Sequence, residues 1–134
     1  MPDPVEPLMI LVAGPYRSET GDDPARIAAN LRAMEEAALA LFRAGHLGLT
    51  GEWLALPLAR LAGSRAMGDG PWDGIFHPVA ERLARRCDAC LRIGGPSAGA
   101  DAMVAIFERA GRPVYRRLED VPPAGPGSDP VHDS

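Results

Sequence analysis

The sequence predicts an α/β fold, a parallel sheet of four or five strands with helices on both faces. Three observations predict it. Short, almost wholly apolar runs end in Gly-Pro or Gly-Gly, stretches with apolar residues at steps of three or four lie between them, and the two patterns alternate in one series over residues 8–121. Residues 8–13 (LMILVA) lack the alternation of a half-exposed strand and stop at Gly14-Pro15, the pattern of a strand buried on both faces. From Pro24, where a first helical turn tolerates proline, Ile27, Leu31, Met34, Ala38 and Leu41 form one apolar stripe that ends at Gly45. Residues 46–50 (HLGLT) read as a second strand. Leu54, Leu58 and Leu61 keep helical spacing interrupted by Pro57, and residues 63–74 (GSRAMGDGPWDG) read as a long loop of breakers, a kind of segment that often carries function. Ile75, Val79 and Leu83 predict a helix to about Arg86, and residues 88–93 (DACLRI) a third strand ending in Gly94-Gly95-Pro96. Residues 97–110 carry Met103, Ile106, Phe107 and Ala110 on one helical face, Gly111 stops that helix, and residues 113–116 (PVYR) make a fourth strand. Residues 1–7 and 122–134 read as flexible tails around one domain, the second because four prolines and two glycines among small polar residues bury too little to order it.

Composition narrows the function. The chain has 134 residues, enough for one domain with a core, and an apolar share of 46% against 24% charged, which is globular. No apolar run approaches the roughly 20 residues of a membrane helix, and the start MPDPVEP has neither the basic nor the apolar part of a signal peptide. These features predict a soluble cytoplasmic protein without membrane partners. All 14 basic residues are Arg, so lysine Schiff-base chemistry and a Walker lysine are excluded. A net charge of −4 argues against a nucleic-acid polymer as partner.

Ligands of parallel sheets bind outside the carboxyl ends of the strands, which selects two loops: Gly14-Pro15-Tyr16-Arg17 and Gly94-Gly95-Pro96-Ser97-Ala98-Gly99. The second opens a helix, whose unpaired N–H groups and positive dipole end suit an anion, with Ser97 as an added donor; as readily, its glycines make the turn and Ser97 caps the helix. Tyr16 offers a phenol to orient a carboxylate or hydroxyl, or serves as an amphipathic core-edge residue. Arg17 pairs with phosphate if phosphate is present and is otherwise a solvated charge. Glu52 and Trp53 follow the second strand and face a pocket, the indole as a stacking surface, or Trp53 sits at the core edge. Cys87 and Cys90 cannot close a four-ligand zinc site and straddle a helix end, so they read as two reduced, buried thiols. His46 and His132 have no partner in sequence, and His77 reads as a helix-surface residue or one facing the strand ends. No metal and no cofactor is expected, and G-x-S-x-G is absent.

These segments resemble the nucleoside 2-deoxyribosyltransferase-like family, including its deoxynucleoside 5′-monophosphate N-glycosidases. The matching pieces are Ile10 to Arg17 (ILVAGPYR), the strand from Cys87 to Ile93, Ser97-Ala98-Gly99-Ala100, and Ala110-Gly111-Arg112-Pro113-Val114-Tyr115, and they span roughly residues 8–121. The resemblance implies a flavodoxin-like, Rossmann-like sheet, a nucleoside or nucleotide ligand, cleavage or transfer at C1′, and a homodimer or higher oligomer, to which the apolar segment 53–61 is suited. It further implies Tyr16 as the orienting tyrosine and Ser97 as the serine that holds sugar or phosphate, with Gly14, Pro15, Arg17, Gly94, Gly95 and Gly99 around them. The family's attacking glutamate, six residues after the loop serine, falls on Met103, which is neither acid nor base. Asp101 is the nearest carboxylate and the expected catalytic substitute, although it projects about 200° around a helix from position 103; its other reading is a first-turn acid on the helix dipole. Asp73 and Glu81 lie off register for the family's second acid. The glycine loop is also similar to that of the cytokinin-activating phosphoribohydrolases, whose glutamate again falls on Met103. The expected function is therefore N-glycosidic hydrolysis or deoxyribosyl transfer, with a catalytically inactive nucleotide-binding module and a phosphoribohydrolase as the alternatives.

Overall fold

A computed structural model describes residues 5–125. The chain runs β1 (Met9–Ala13), α1 (Pro24–Arg43), β2 (Leu47–Leu49), α2 (Gly51–Leu61), α3 (Gly70–Arg86), β3 (Ala89–Arg92), α4 (Ala98–Arg109), β4 (Val114–Tyr115) and a single 3₁₀ turn at Leu118–Asp120. All three pairings are parallel, in the order β2-β1-β3-β4, with Leu11 opposite Leu49 on one side and Cys90 on the other. The predicted parallel α/β architecture is therefore present, with four strands.

Strand alternation sorts β1 onto two cores. Ile10 and Val12 join Met34, Ala38 and Leu41 of α1, with Ala89, Leu91 and Val121. Leu11 and Ala13 join Leu83 and Ala84 of α3 and Ala100, Met103, Val104 and Phe107 of α4, with Cys87 and Cys90. Ile10, Leu11 and Val12 are each at most 2% exposed, and such burial stabilises by about 1.5–3 kcal/mol per side chain. The chain thus covers one face with α1, crosses to the other face, and reaches β3 on the far side of β1. The strand order reverses between β1 and β3, and a crevice opens there at the carboxyl ends.

Local chemistry explains where elements start and stop. Gly45, at φ +92°, ends α1 in the left-handed conformation as its spacing predicted, and the His46 amide reaches back to the Leu41 carbonyl. The breaker-rich segment is shorter than expected: α3 begins at Gly70, so residues 70–74 are helical and not loop. Asp69 is the reason, since its side chain accepts from the Trp72 amide as an N-cap, with Pro71 in the first turn. Pro57 and Pro78 lie inside α2 and α3 without ending them. Arg112 donates to the carbonyls of Ala84, Arg85 and Cys87, closing the carboxyl end of α3. No helix among the described residues is long and apolar enough to cross a membrane.

The tail boundaries also need correction. Residues 122–125 are docked, not free: Val5 donates to Pro123 O and Gly125 to Val5 O, while the Ala124 amide reaches Ala44 O. His46 holds this layer. It is 3% exposed, its Nδ1 accepts from the Leu8 amide at 3.0 Å, and its Nε2 donates to the Pro122 carbonyl at 2.6 Å. The remaining tail residues, 1–4 and 126–134, lie outside the described part of the chain. Replacing His46 with Ala orphans a buried donor and a buried acceptor, and is expected to cost about 2–4 kcal/mol. Urea unfolding measures this, and a loss below about 0.5 kcal/mol would show that the imidazole does not hold the two segments together.

Candidate active site

The two loops singled out from the sequence meet. Gly94 has φ +78°, and a Cβ on it would fall 2.6 Å from Pro15 Cδ; one on Gly14 would fall 3.0 Å from the Ile93 carbonyl oxygen. This close approach needs glycine at both positions. The loop after β3 is held from beneath by Arg92, which is 8% exposed. Its guanidinium donates to the carbonyls of Ile93 and Gly95 and pairs with Asp101 Oδ1 at 3.1 Å. The carbonyls are thereby turned toward Arg92. Ser97 then caps α4, its Oγ accepting from the Ala100 amide at 3.1 Å, and the first amides of the helix, Ala98 and Gly99, have no intrahelical acceptor.

Above β1, between these loops and the start of α2 and α3, lies a cleft of about 250 Å³. Leu11, Ala13, Ala55, Ala80, Ala100 and Met103 form its apolar floor, and Tyr16, Arg17, Ser97 and Gly99 bring the two loops to it. Glu52, Asp73 and His77 also reach it, His77 from an exposed position on α3. Trp72 and Phe76 stack at 3.9 Å with 10° between planes, and Tyr16 lies 6.3 Å and 6.1 Å from them at shallow angles. This makes an aromatic wall suited to a flat ring. Arg17 is tied to Asp22, Nε to Oδ1 at 2.8 Å, and its guanidinium lies over Gly68.

Other expected residues lie elsewhere. Pro15, Gly94 and Gly95 shape the loops but do not line the cleft. Asp101 is 64% exposed, bound to Arg92 and off the cleft, whereas Met103 is buried and lines it, as the helical angle between the two requires. Trp53 does not line the cleft either; its indole donates to Glu35 of α1 at 2.8 Å on the outer surface. The stacking indole is instead Trp72, from the segment read as loop. Glu81 is exposed and off the cleft. Cys87 and Cys90 are free and buried, and burial pushes their thiols up to about 11 and about 12, so neither is a ready nucleophile. Among the described residues no three His, Cys, Asp or Glu side chains group as a metal site.

The electrostatics single out Glu52. It stands in the first turn of α2, half-buried, and burial raises its pKa above the usual carboxyl value, offset in part by its own amide and the Thr50 hydroxyl. Thr50 Oγ1 is fully buried and makes no hydrogen bond within good geometry, so it leans on Glu52 only weakly. Tyr16 is raised by burial and then by the charge of Glu52, so the phenol stays protonated at neutral pH. Asp69 is lowered to about 2 by the amides of Arg65 and Trp72 foremost, with the Ser64 hydroxyl and the Ala66 amide adding to them. It organises the turn that presents Trp72.

A parallel four-stranded sheet with this strand order defines a flavodoxin-like α/β protein, with a cleft at its switch point. A solved structure shares the fold: a 2-deoxyribosyltransferase from Bacillus psychrosaccharolyticus, described as a biocatalyst for nucleoside synthesis, with 17% identity and a TM-score of 0.52 over 79% of this chain and 69% of that one. No family model and no curated protein sequence matches the chain.

Two outcomes are expected. Gly94→Ala sets a Cβ into Pro15 at a left-handed φ, costs about 1–3 kcal/mol, and separates the two loops; an unchanged melting temperature would contradict the contact. Glu52→Gln is expected to stabilise the ligand-free protein at neutral pH. With its pKa raised on folding, Glu52 favours the fold below its unfolded value and loses that contribution as pH rises through the folded one, a loss glutamine does not suffer. Thermal melts of both proteins from acid to neutral pH should therefore diverge as pH rises, and parallel curves would contradict the burial of the carboxyl.

Proposed function

We propose that this protein binds a nucleoside or nucleoside 5′-monophosphate in the cleft and breaks its N-glycosidic bond, by hydrolysis or by deoxyribosyl transfer. One observation carries the reading: a single cleft at the switch point is lined by the stacked rings of Tyr16, Trp72 and Phe76, by the Glu52 carboxyl and by the start of α4 with its free amides. A nucleotide has the matching parts in the matching order. The heterocycle stacks on the aromatic wall, the sugar lies over Met103 and Ala100, and the phosphate meets the α4 amides, the Ser97 hydroxyl and Arg17. Tyr16 orients the sugar through a neutral phenol. The shared fold with a 2-deoxyribosyltransferase supports a nucleoside as ligand.

Met103 favours a second reading, a nucleotide-binding module without turnover, because a thioether cannot attack C1′. The two separate in a base-release assay across nucleosides and 5′-monophosphates, run beside calorimetric binding. The enzyme reading expects release by the wild type, and Tyr16→Phe is expected to lower kcat by about 10–100-fold through the lost orientation. Binding without release in the wild type, with release gained by Met103→Glu, establishes the module instead. Neither binding nor release removes both.

A further inference from the structure

Cleavage of an N-glycosidic bond leaves an electron pair on a ring nitrogen, and most heterocycles depart poorly unless that nitrogen, or another on the ring, is protonated. Among the described residues two carboxyl groups reach the cleft, Glu52 and Asp73. Asp73 is exposed in the first turn of α3, in electrostatic range of Arg17. Glu52 is half-buried at the amino end of α2, and shares the cleft with Tyr16 and the aromatic wall. The titratable and charged groups that face the same space are Tyr16 and Arg17 from the loop after β1 and Asp73 and His77 from α3; α4 contributes none. Arg17 is already engaged with Asp22, so no cation is committed to Glu52. The Tyr16 phenol and the Ser97 hydroxyl are too weak as acids for this step.

Building on the N-glycosidic reading, we propose that Glu52 is the catalytic acid, delivering its carboxyl proton to the departing base. The C1′–N bond breaks with its pair going to the base, the Glu52 proton ends on that base, and water adds to C1′ while its own proton returns to the Glu52 carboxylate. Base and C1′-hydroxyl sugar leave, and the enzyme is regenerated with water as the only co-reactant. One carboxyl thus serves as acid and then as base, which removes the need for a nucleophile at position 103. Desolvation raises the pKa of the carboxyl, which suits this role.

The test compares wild type and Glu52→Gln on a nucleotide and on the p-nitrophenyl glycoside of the same sugar, whose leaving group departs without protonation. Glu52→Gln is expected to lower kcat for base release by about 10²–10⁴-fold, and to remove the fall in kcat that the wild type shows as pH rises through the Glu52 pKa. Because the carboxylate takes the proton of water only after the bond to the leaving group has broken, release of p-nitrophenol stays within about tenfold of wild type, and nucleotide binding and the melting curve confirm a folded variant. A wild type that releases base while Glu52→Gln matches it overturns the proposal and leaves the glycosidase reading standing. An equal loss on both substrates also overturns it, since a nucleophile or a merely structural residue does not distinguish leaving groups. No base release from the wild type overturns both.

Discussion

The guanidinium of Arg92 is buried where β3 ends, and a buried charge must find acceptors. It takes the carbonyls of Ile93 and Gly95 and the carboxylate of Asp101. This one requirement shapes much of the site. Two backbone carbonyls are drawn below the loop, Gly94 is forced to a left-handed φ against Pro15, and Asp101 is held on the far side of α4 from the cleft. What remains facing the cleft is the donor side of the helix start, with Ser97 beside it. The donor character of this side of the cleft thus follows from where a buried cation sends its acceptors.

The opposite wall has a different origin. Asp69 collects amides of residues on both sides of it, and its pKa of about 2 reflects how fully they satisfy it. That turn starts α3 early and brings Trp72 and Phe76 one helical turn apart on the face toward Tyr16. Glu52 is carried in by α2, which begins as soon as β2 ends. The cleft therefore joins a polar loop on rigid strands to an apolar wall on two short helices. The backbone donors of the cleft accordingly lie near α4 and the titratable carboxyl near α2.

A buried acid without a committed cation is a cost that stability alone does not explain. Thr50, fully buried with no well-formed hydrogen bond, adds a second polar group in the same neighbourhood that the fold leaves poorly satisfied. Such conflicts between local energetics and packing concentrate at functional sites. Here both sit at the junction of β2 and α2, beside the crevice.

The chain's own pattern was sufficient for the sheet and its helices, because apolar runs and three-to-four spacing report burial directly: β1, α1, β3 and α4 need no partner to be recognised. It was also sufficient for the two converging loops, since strand polarity dictates which ends form a crevice. The rest depended on contacts between residues far apart in sequence. Nothing near Arg92 shows that Asp101 will be claimed by it, and no periodicity distinguishes Trp72, which stacks in the cleft, from Trp53, which binds Glu35 outside it. Residues 122–125 read as too polar to order, yet His46 and Val5 supply the missing partners. Glu52 was visible as a pocket residue, but its raised pKa arises only when the fold buries it. Local patterns reveal which residues leave solvent; which ones then face each other is decided by packing.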